Sequence, residues 1–202
     1  MYDYKLITDF SDYYDNNNET ALFVYKRLKS ENKQRGSALK QLRSYGIQTV
    51  EIKQVSQAMD WKRVVVYKDV GADKCREKVV LDIEEAVVLY PNMLCSRYIE
   101  SDTHIKYIQI GNTGYRLVLD VDTTKEIKLN GIRHIEPIAS DFTAIGIPIY
   151  SINYVVDNNI MVATKFNKVQ ELSYLGLENM ISKEQVNELI YKSLLTYNKQ
   201  AR

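Results

Sequence analysis

Cysteine, glycine and proline are all scarce in this chain. Among 202 residues there are two cysteines, eight glycines and three prolines. Two thiols cannot build a disulfide framework, so a reducing compartment is the simpler interpretation and a cytoplasmic location is expected. Few glycines and prolines argue against long flexible linkers. The hydrophobic share of 45% and the charged share of 26% are typical of an ordinary globular protein.

The chain also lacks a charge excess and a long apolar segment. Its 27 lysines and arginines nearly balance 26 aspartates and glutamates, which leaves a net charge of +1. Such a balance provides no overall field that would attract nucleic acid or an anionic membrane, so both are disfavoured as partners. No apolar run approaches the roughly 20 residues that span a bilayer, and the first residues do not resemble a signal peptide.

Several common enzyme signatures are absent. The sequence contains no Walker-type phosphate loop, no Gly-x-Gly-x-x-Gly and no Gly-x-Ser-x-Gly. Its two histidines, His104 and His134, are far apart, and no spacing of cysteine and histidine indicates zinc. The abundance of tyrosine, lysine, asparagine and isoleucine is typical of AT-rich genomes, including those of many bacteria and phages.

Two helices are predicted by their periodicity and caps. Residues 33–45 form the first, with Gly46 placed as its C-cap. Its basic residues indicate either a phosphate-binding face or, as we favour, a solvated surface; they are Lys33, Arg35, Lys40 and Arg43. Ser182 and Gln185 form a capping box that opens the last helix. One apolar face follows it, made of Val186, Leu189, Ile190, Leu194 and Tyr197.

Short extended runs between turn residues predict many strands. They are expected at 4–8, 21–26, 48–53, 61–68, 94–99, 104–110, 115–121, 125–129, 132–138, 147–156 and 160–167. A helix is expected at 82–90, ended by Pro91, and turns at 112–114 and 157–159. The order predicts an α+β fold of two lobes with a C-terminal helix. We divide the chain into a short α/β unit, 1–60, and a larger domain, 61–202.

An ordered series of features lies between residues 62 and 170. A strand ends in Lys68, a loop with Gly71 and a helix follow, and two strands and the hairpin 147–167 complete it. In this series the chain resembles the ATP-grasp superfamily, and in particular small phage-type members. The resemblance implies ATP binding between two lobes and, for an active member, joining of a carboxylate to an amine through an acyl-phosphate. The implied partners are a nucleotide and a small-molecule substrate.

The resemblance also implies roles for individual residues. Lys68 matches a lysine that contacts an ATP phosphate, and Lys74 and Lys78 lie in the loop that would cover the phosphates. Arg97 lies in the strand that would carry adenine-contacting residues. Lys106 stands where the arginine of a catalytic strand is expected, so it keeps the charge without the bidentate geometry.

The hairpin departs from the pattern of the family. Asn153 stands where an aspartate is expected and Lys165 where a glutamate is expected, while Asn167 keeps its type. The first change removes one negative charge and the second alters the charge by two, three units in all. One unit charge at 4 Å is worth roughly 4 kcal/mol at an effective dielectric of 20. Because magnesium prefers carboxylate oxygens, it is disfavoured as a cofactor here.

Asp9, Asp12 and Asp15 form an acidic cluster just beyond a predicted strand. Acidic residues at strand ends are common at α/β active sites, and we predict a catalytic role for Asp9 and Asp12. The same residues are equally typical of a solvated turn that caps a helix.

Three functions are compatible with these observations. The first is an ATP-dependent carboxylate–amine ligase, or a nucleotide-binding relative. The second is a catalytically inactive descendant that serves as a binding or assembly protein with a protein partner. The third is a nucleic-acid-associated protein that uses the basic segment 33–43, which the neutral net charge disfavours.

Overall fold

A computed structural model describes residues 35–68, 78–123, 128–139, 145–168 and 182–200. The strands predicted at 4–8 and 21–26, the acidic residues Asp9 and Asp12, and Lys74 lie outside the described residues. The division at residue 60 stays a prediction. None of the described helices is long and apolar enough to cross a membrane.

The described residues form helices and two separate sheets. The helices are α1 (Arg35–Ser44), α2 (Ile83–Leu89) and α3 (Lys183–Gln200). The strands are β1 (Ile52–Gln54), β2 (Arg63–Tyr67), β3 (Lys78–Asp82), β4 (Leu94–Arg97), β5 (His104–Ile110), β6 (Thr113–Asp122), β7 (Lys128–Ala139), β8 (Ile149–Asp157) and β9 (Ile160–Lys168). The sheet orders are β1-β4-β2-β3 and β7-β6-β5-β8-β9, and neighbouring strands run antiparallel. The predicted α+β class and the C-terminal helix are confirmed.

The four-stranded sheet has two different faces because side chains alternate along each strand. Val64 and Val66 are fully buried against α2, together with Ile83 and Ala86. Val65 and Tyr67 project from the opposite face. Strand β3 was not predicted, since its first residue, Lys78, was assigned to the preceding loop. It pairs along its whole length with β2.

The five-stranded sheet lies between two helices. Leu39 and Leu42 of α1 are fully buried on one face, in the cluster that contains Ile152. Ile190 and Leu194 of α3 pack on the other face, around Ile108, Ile110 and Leu117. We call the face that α3 contacts the α3 face of the large sheet.

Both predicted helix caps are present. Gly46 has a φ of +79°, and its N–H donates to the carbonyl of Arg43 while Ile47 N–H donates to that of Leu42. These two bonds are the Schellman arrangement that ends a helix. At the start of α3, Ser182 N–H donates to Gln185 Oε1 at 2.8 Å, and Gln185 N–H donates to Ser182 Oγ at 3.2 Å.

The turns differ from prediction in detail. Ile110 pairs with Thr113, so the first turn is Gly111-Asn112 rather than 112–114, and Gly111 supplies its φ of +59°. In the last hairpin Asp157 pairs with Ile160. Asn158 and Asn159 therefore make the turn, with φ of 48° and 66°, which asparagine tolerates better than most residues. Of the two strand segments predicted at 125–129 and 132–138, residues 128–129 and 132–138 belong to the single strand β7, and residues 125–127 lie outside the described residues.

The segment predicted as one strand at 48–53 is divided between the two sheets. Strand β1 begins only at Ile52 and joins the small sheet. Residues 48–50 instead run beside β9, where Val50 N–H donates to Ala163 O and Ala163 N–H donates to Gln48 O. This segment therefore connects the small sheet to the outer edge of the large sheet.

Candidate functional site

A row of three polar side chains crosses the middle of the large sheet. Lys106 on β5 lies directly opposite Asn153 on β8, and Asn153 lies directly opposite Lys165 on β9. Residues paired across neighbouring strands project from the same face. We call these three residues the Lys-Asn-Lys row. It lies on the α3 face, since Lys106 also pairs with Leu117 of the cluster around α3.

Two more polar residues, Ser151 and Asn167, lie next to the Lys-Asn-Lys row on the same face of the sheet. Ser151 of β8 is only 1% exposed and pairs with Ile108 on one side and Asn167 on the other. Asn167 is two residues from Lys165 and so shares its face. The structure thus brings together three residues predicted for the site, namely Lys106, Asn153 and Asn167.

Lys106 has an unusual environment for a lysine. Its side chain is buried, and burial together with the smaller effect of the positive charge of Lys165 lowers its pKa from 10.5 to about 7. A buried ammonium loses the hydration that stabilises it in water. Near neutral pH, Lys106 is therefore divided between its charged and neutral forms.

Arg35 of α1 contacts both sheets. Its guanidinium lies 4.3 Å from the ring centroid of Tyr67, on the small sheet, and donates to the carbonyl of Thr164 at 2.9 Å. Thr164 occupies a bulge in β9, and its hydroxyl donates to the carbonyl of Asn153 at 3.2 Å. Bulges redirect side chains and are frequent next to active sites.

Two buried polar atoms near the row have no hydrogen-bond partner. They are Asn153 Oδ1 and His104 Nε2. Burial is the main reason that the pKa of His104 is lowered. A hydrogen bond to the backbone of Ser101 raises the pKa, and the charges of Lys78 and Arg133 lower it further. The positive charge of Lys78, on the small sheet, thus lowers the pKa of His104, which lies two positions before Lys106 on the large sheet.

The remaining predicted residues occupy different places. Lys78 begins β3 opposite Tyr67, so it projects from the face over which Arg35 lies. Lys68 follows Tyr67 in the chain, and its Nζ lies 5.7 Å from the ring centroid of Tyr90, at the end of α2. The structure does not bring Lys68 to the Lys-Asn-Lys row. Arg97 is exposed at the opposite end of the small sheet, where it pairs with Val64.

The row does not fit magnesium. Magnesium needs hard oxygen ligands, usually carboxylates, whereas the row presents two amines and one amide. Among the residues that the structure describes, no group of three histidine, cysteine, aspartate or glutamate side chains could hold a metal ion. By contrast, the cationic side chains around the row have the charge that phosphate groups require.

Solved structures share this architecture. One is D-alanine–D-alanine ligase from Bacillus anthracis complexed with ATP, at 14% identity, covering 86% of this chain and 68% of that chain, with a TM-score of 0.56. Another is a Chryseobacterium gregarium RiPP-associated ATP-grasp ligase in complex with ADP and a leader and core peptide, at 13% identity, covering 92% and 72%, with a TM-score of 0.53. The protein has the ATP-grasp fold. The predicted resemblance is thus confirmed at the level of the fold.

The ATP-grasp fold is also shared with the macrocyclase MdnC from Microcystis aeruginosa MRC, bound with precursor peptide MdnA. That alignment has 11% identity and a TM-score of 0.53, and covers 87% of this chain. It spans 62% of the macrocyclase, less than two thirds of that protein. At the level of sequence, no family model and no curated protein matches the chain.

Sequence reasoning missed three residues of the site. Arg35 was grouped with the basic residues of the first helix, as part of a phosphate-binding face or, as we favoured, of a solvated surface. Nothing in the local sequence indicates its distant partners, the ring of Tyr67 and the carbonyl of Thr164. His104 and Ser151 stand at strand positions that share a face with Lys106 and Asn153. Counting alternate residues along β5 and β8 would have indicated both.

Proposed function

We propose that this protein binds ATP in the space between its two sheets, with the phosphate groups near the Lys-Asn-Lys row. The observation that supports the proposal is the convergence of cations from both sheets. Lys78 comes from the small sheet, Lys106 and Lys165 come from the large sheet, and Arg35 contacts both. A nucleotide triphosphate is a polyanion, and charge-assisted hydrogen bonds to phosphate are stronger than neutral ones.

The chain's own groups would bind and orient the nucleotide. Lys78 and Lys106 would contact phosphate oxygens, and Asn167 would donate a hydrogen bond from the same face as Lys106. In a ligase of this fold, ATP supplies the phosphoryl group that activates a carboxylate for attack by an amine. The small-molecule or peptide substrate of such a reaction, the catalytic roles of Asp9 and Asp12, and the cofactor-binding roles of Lys68, Lys74 and Arg97 stay predictions.

A thermal-shift measurement tests nucleotide binding. A ligand that binds only the folded protein raises its melting temperature. We expect ATP at millimolar concentration to raise it, and Lys78→Ala to reduce the shift. Lys40→Ala, on the exposed side of α1, is the matched control and should behave as the unchanged protein. No shift with ATP, in the presence or the absence of magnesium, would overturn the proposal.

A second function is favoured by the residues of the hairpin. Asn153 and Lys165 stand where a metal-dependent ligase would present carboxylates, and neither is a suitable magnesium ligand. We infer a catalytically inactive ATP-grasp-like protein that binds a nucleotide, a protein partner, or both, and whose bacterial or phage source and cytoplasmic location stay predictions. Measured release of ADP by the purified protein, sensitive to Lys106→Met, would rule out this second function.

A further inference from the structure

We propose that Lys106 and Lys165 form a binding site for phosphoryl oxyanions that works without a metal ion. This inference rests on the proposed nucleotide site and specifies how its phosphate charge is neutralised. In this protein the two amines would neutralise the phosphate charge that a magnesium ion neutralises in a metal-dependent site. The ligand class is a nucleotide triphosphate bound free of metal, or a free polyphosphate with the same oxyanions.

The strand register places the two amines around one position. Lys106 and Lys165 lie on either side of Asn153, so their Cα atoms are about 10 Å apart, twice the spacing of neighbouring strands. Both side chains project from the α3 face and have long flexible stems. An oxyanion above Asn153 is therefore within reach of both amines.

The electrostatics of the row favour an anion over a cation. Burial is the larger cause of the lowered pKa of Lys106, and the positive charge of Lys165 is near enough to lower it further. A magnesium ion at this position would add a third like charge. An oxyanion would instead stabilise the ammonium forms of both lysines, so its binding should be coupled to proton uptake by Lys106.

The amide of Asn153 completes the site. Its Oδ1 is buried and has no hydrogen-bond partner. A half-turn of the amide exchanges Oδ1 for Nδ2, so this position offers an acceptor to an ammonium or a donor to an oxyanion. The backbone at Asn153 is held by Thr164, whose carbonyl accepts from Arg35. The backbone that carries this amide is thus held between the two lysines by contacts that do not depend on a ligand.

Titration calorimetry with two probes tests the site. ATP and inorganic tripolyphosphate are each titrated into the full chain, once in EDTA and once in excess magnesium. We expect ATP to bind in EDTA at least as tightly as in magnesium. Lys165→Met should weaken binding in EDTA by about tenfold or more, the loss of one charge-assisted hydrogen bond. Lys40→Met is the matched control and should leave the affinity unchanged.

The outcomes separate this inference from the proposed function. Binding of ATP only in magnesium would overturn the metal-free site and leave the nucleotide site standing. Binding of tripolyphosphate but not ATP, in EDTA, would support the oxyanion site and overturn the nucleotide proposal. If neither probe binds, both are wrong. Should Lys165→Met fail to fold by circular dichroism, Lys165→Gln provides the same charge deletion with a polar side chain.

A charge reversal provides an independent check. The double variant Asn153→Asp and Lys165→Glu places two carboxylates in the row. We expect it to lose ATP binding in EDTA and to regain binding when magnesium is added. Tight metal-free binding by this double variant would contradict the assignment of the oxyanion to the row.

Discussion

Lys106 lies two strands from Lys165 on the same face of the large sheet, and the positive charge of Lys165 lowers the pKa of Lys106, which burial already depresses. The repulsion between two ammonium groups on one face, added to burial, makes the charged form of Lys106 costly in the folded protein. Proteins often hold such costly arrangements at functional sites. The relationship therefore lowers stability near neutral pH, as the first prediction describes.

The first prediction concerns the pH dependence of stability. The unfolded chain keeps its proton on Lys106 up to about pH 10.5, whereas the folded chain releases it above a pKa of about 7. The unfolded state thus binds more protons between these values, so the free energy of unfolding should rise with pH by up to about 1.4 kcal/mol per unit. Lys106→Met should remove this contribution.

Urea denaturation from pH 6 to pH 9 measures the free energy of unfolding of the unchanged protein and of Lys106→Met, and so the difference between them. The gain in stability from Lys106→Met should be largest at pH 6 and should shrink as the pH rises. Lys40→Met, at an exposed position, should show the same pH dependence as the unchanged protein. A gain for Lys106→Met that does not vary with pH would show that the burial cost of this amine had been misassigned.

The second prediction concerns the contact of Arg35 with both sheets. Arg35→Ala removes a cation–π contact with Tyr67 and a hydrogen bond to the carbonyl of Thr164. The expected loss is about 1–3 kcal/mol in the free energy of unfolding. Arg43 lies in the exposed last turn of the same helix, and Arg43→Ala should lower the free energy of unfolding by only a few tenths of a kcal/mol. Equal losses for the two variants would mean that the contact does not stabilise the arrangement of the sheets.

The third prediction uses two glycines of the same helix region. Gly46 has a φ of +79°, a conformation that costs other residues about 1 kcal/mol or more, so Gly46→Ala should destabilise the protein by that amount. Gly36 lies inside α1, and a Cβ there would meet Ile52 Cβ at an ordinary 4.0 Å. Gly36→Ala should therefore stabilise by roughly 0.5–1 kcal/mol. Thermal melts that shift in the same direction for both variants would be inconsistent with this assignment.

The fourth prediction concerns the thiol of Cys95. It is fully buried, and burial raises its pKa from 9.0 to about 11. Since the thiolate is the reactive form, the folded protein should react at pH 8 about a hundredfold or more slowly than an unfolded thiol. The measurement uses Cys75→Ala, which leaves Cys95 as the single cysteine, with and without urea. Rapid labelling without urea would show that β4 opens readily.

Much of the local structure was predictable because its causes are local. The cap at Gly46, the capping box of Ser182 with Gln185, and the hairpin that turns at Asn158 each depend on residues within a few positions of one another. The short strand β3 was missed because its identity depends on pairing with β2, not on a local pattern. The resemblance predicts Lys68 at the phosphate site from its order in the sequence, whereas the contact of its Nζ with the ring of Tyr90 depends on where α2 packs.

The sequence by itself predicted the described helices and their caps, most of the described strands other than β3, and the presence of Asn153 and Lys165 where carboxylates were expected. Only the tertiary structure decided that Lys106 is buried beside them, that Arg35 contacts Tyr67 and Thr164 together, and that Lys78 acts on His104. The physical reason is that burial and charge proximity arise from pairings between residues far apart in the chain. Periodicity can predict that each strand exists, but the register that aligns Lys106, Asn153 and Lys165 is set by packing on both faces of the folded sheet.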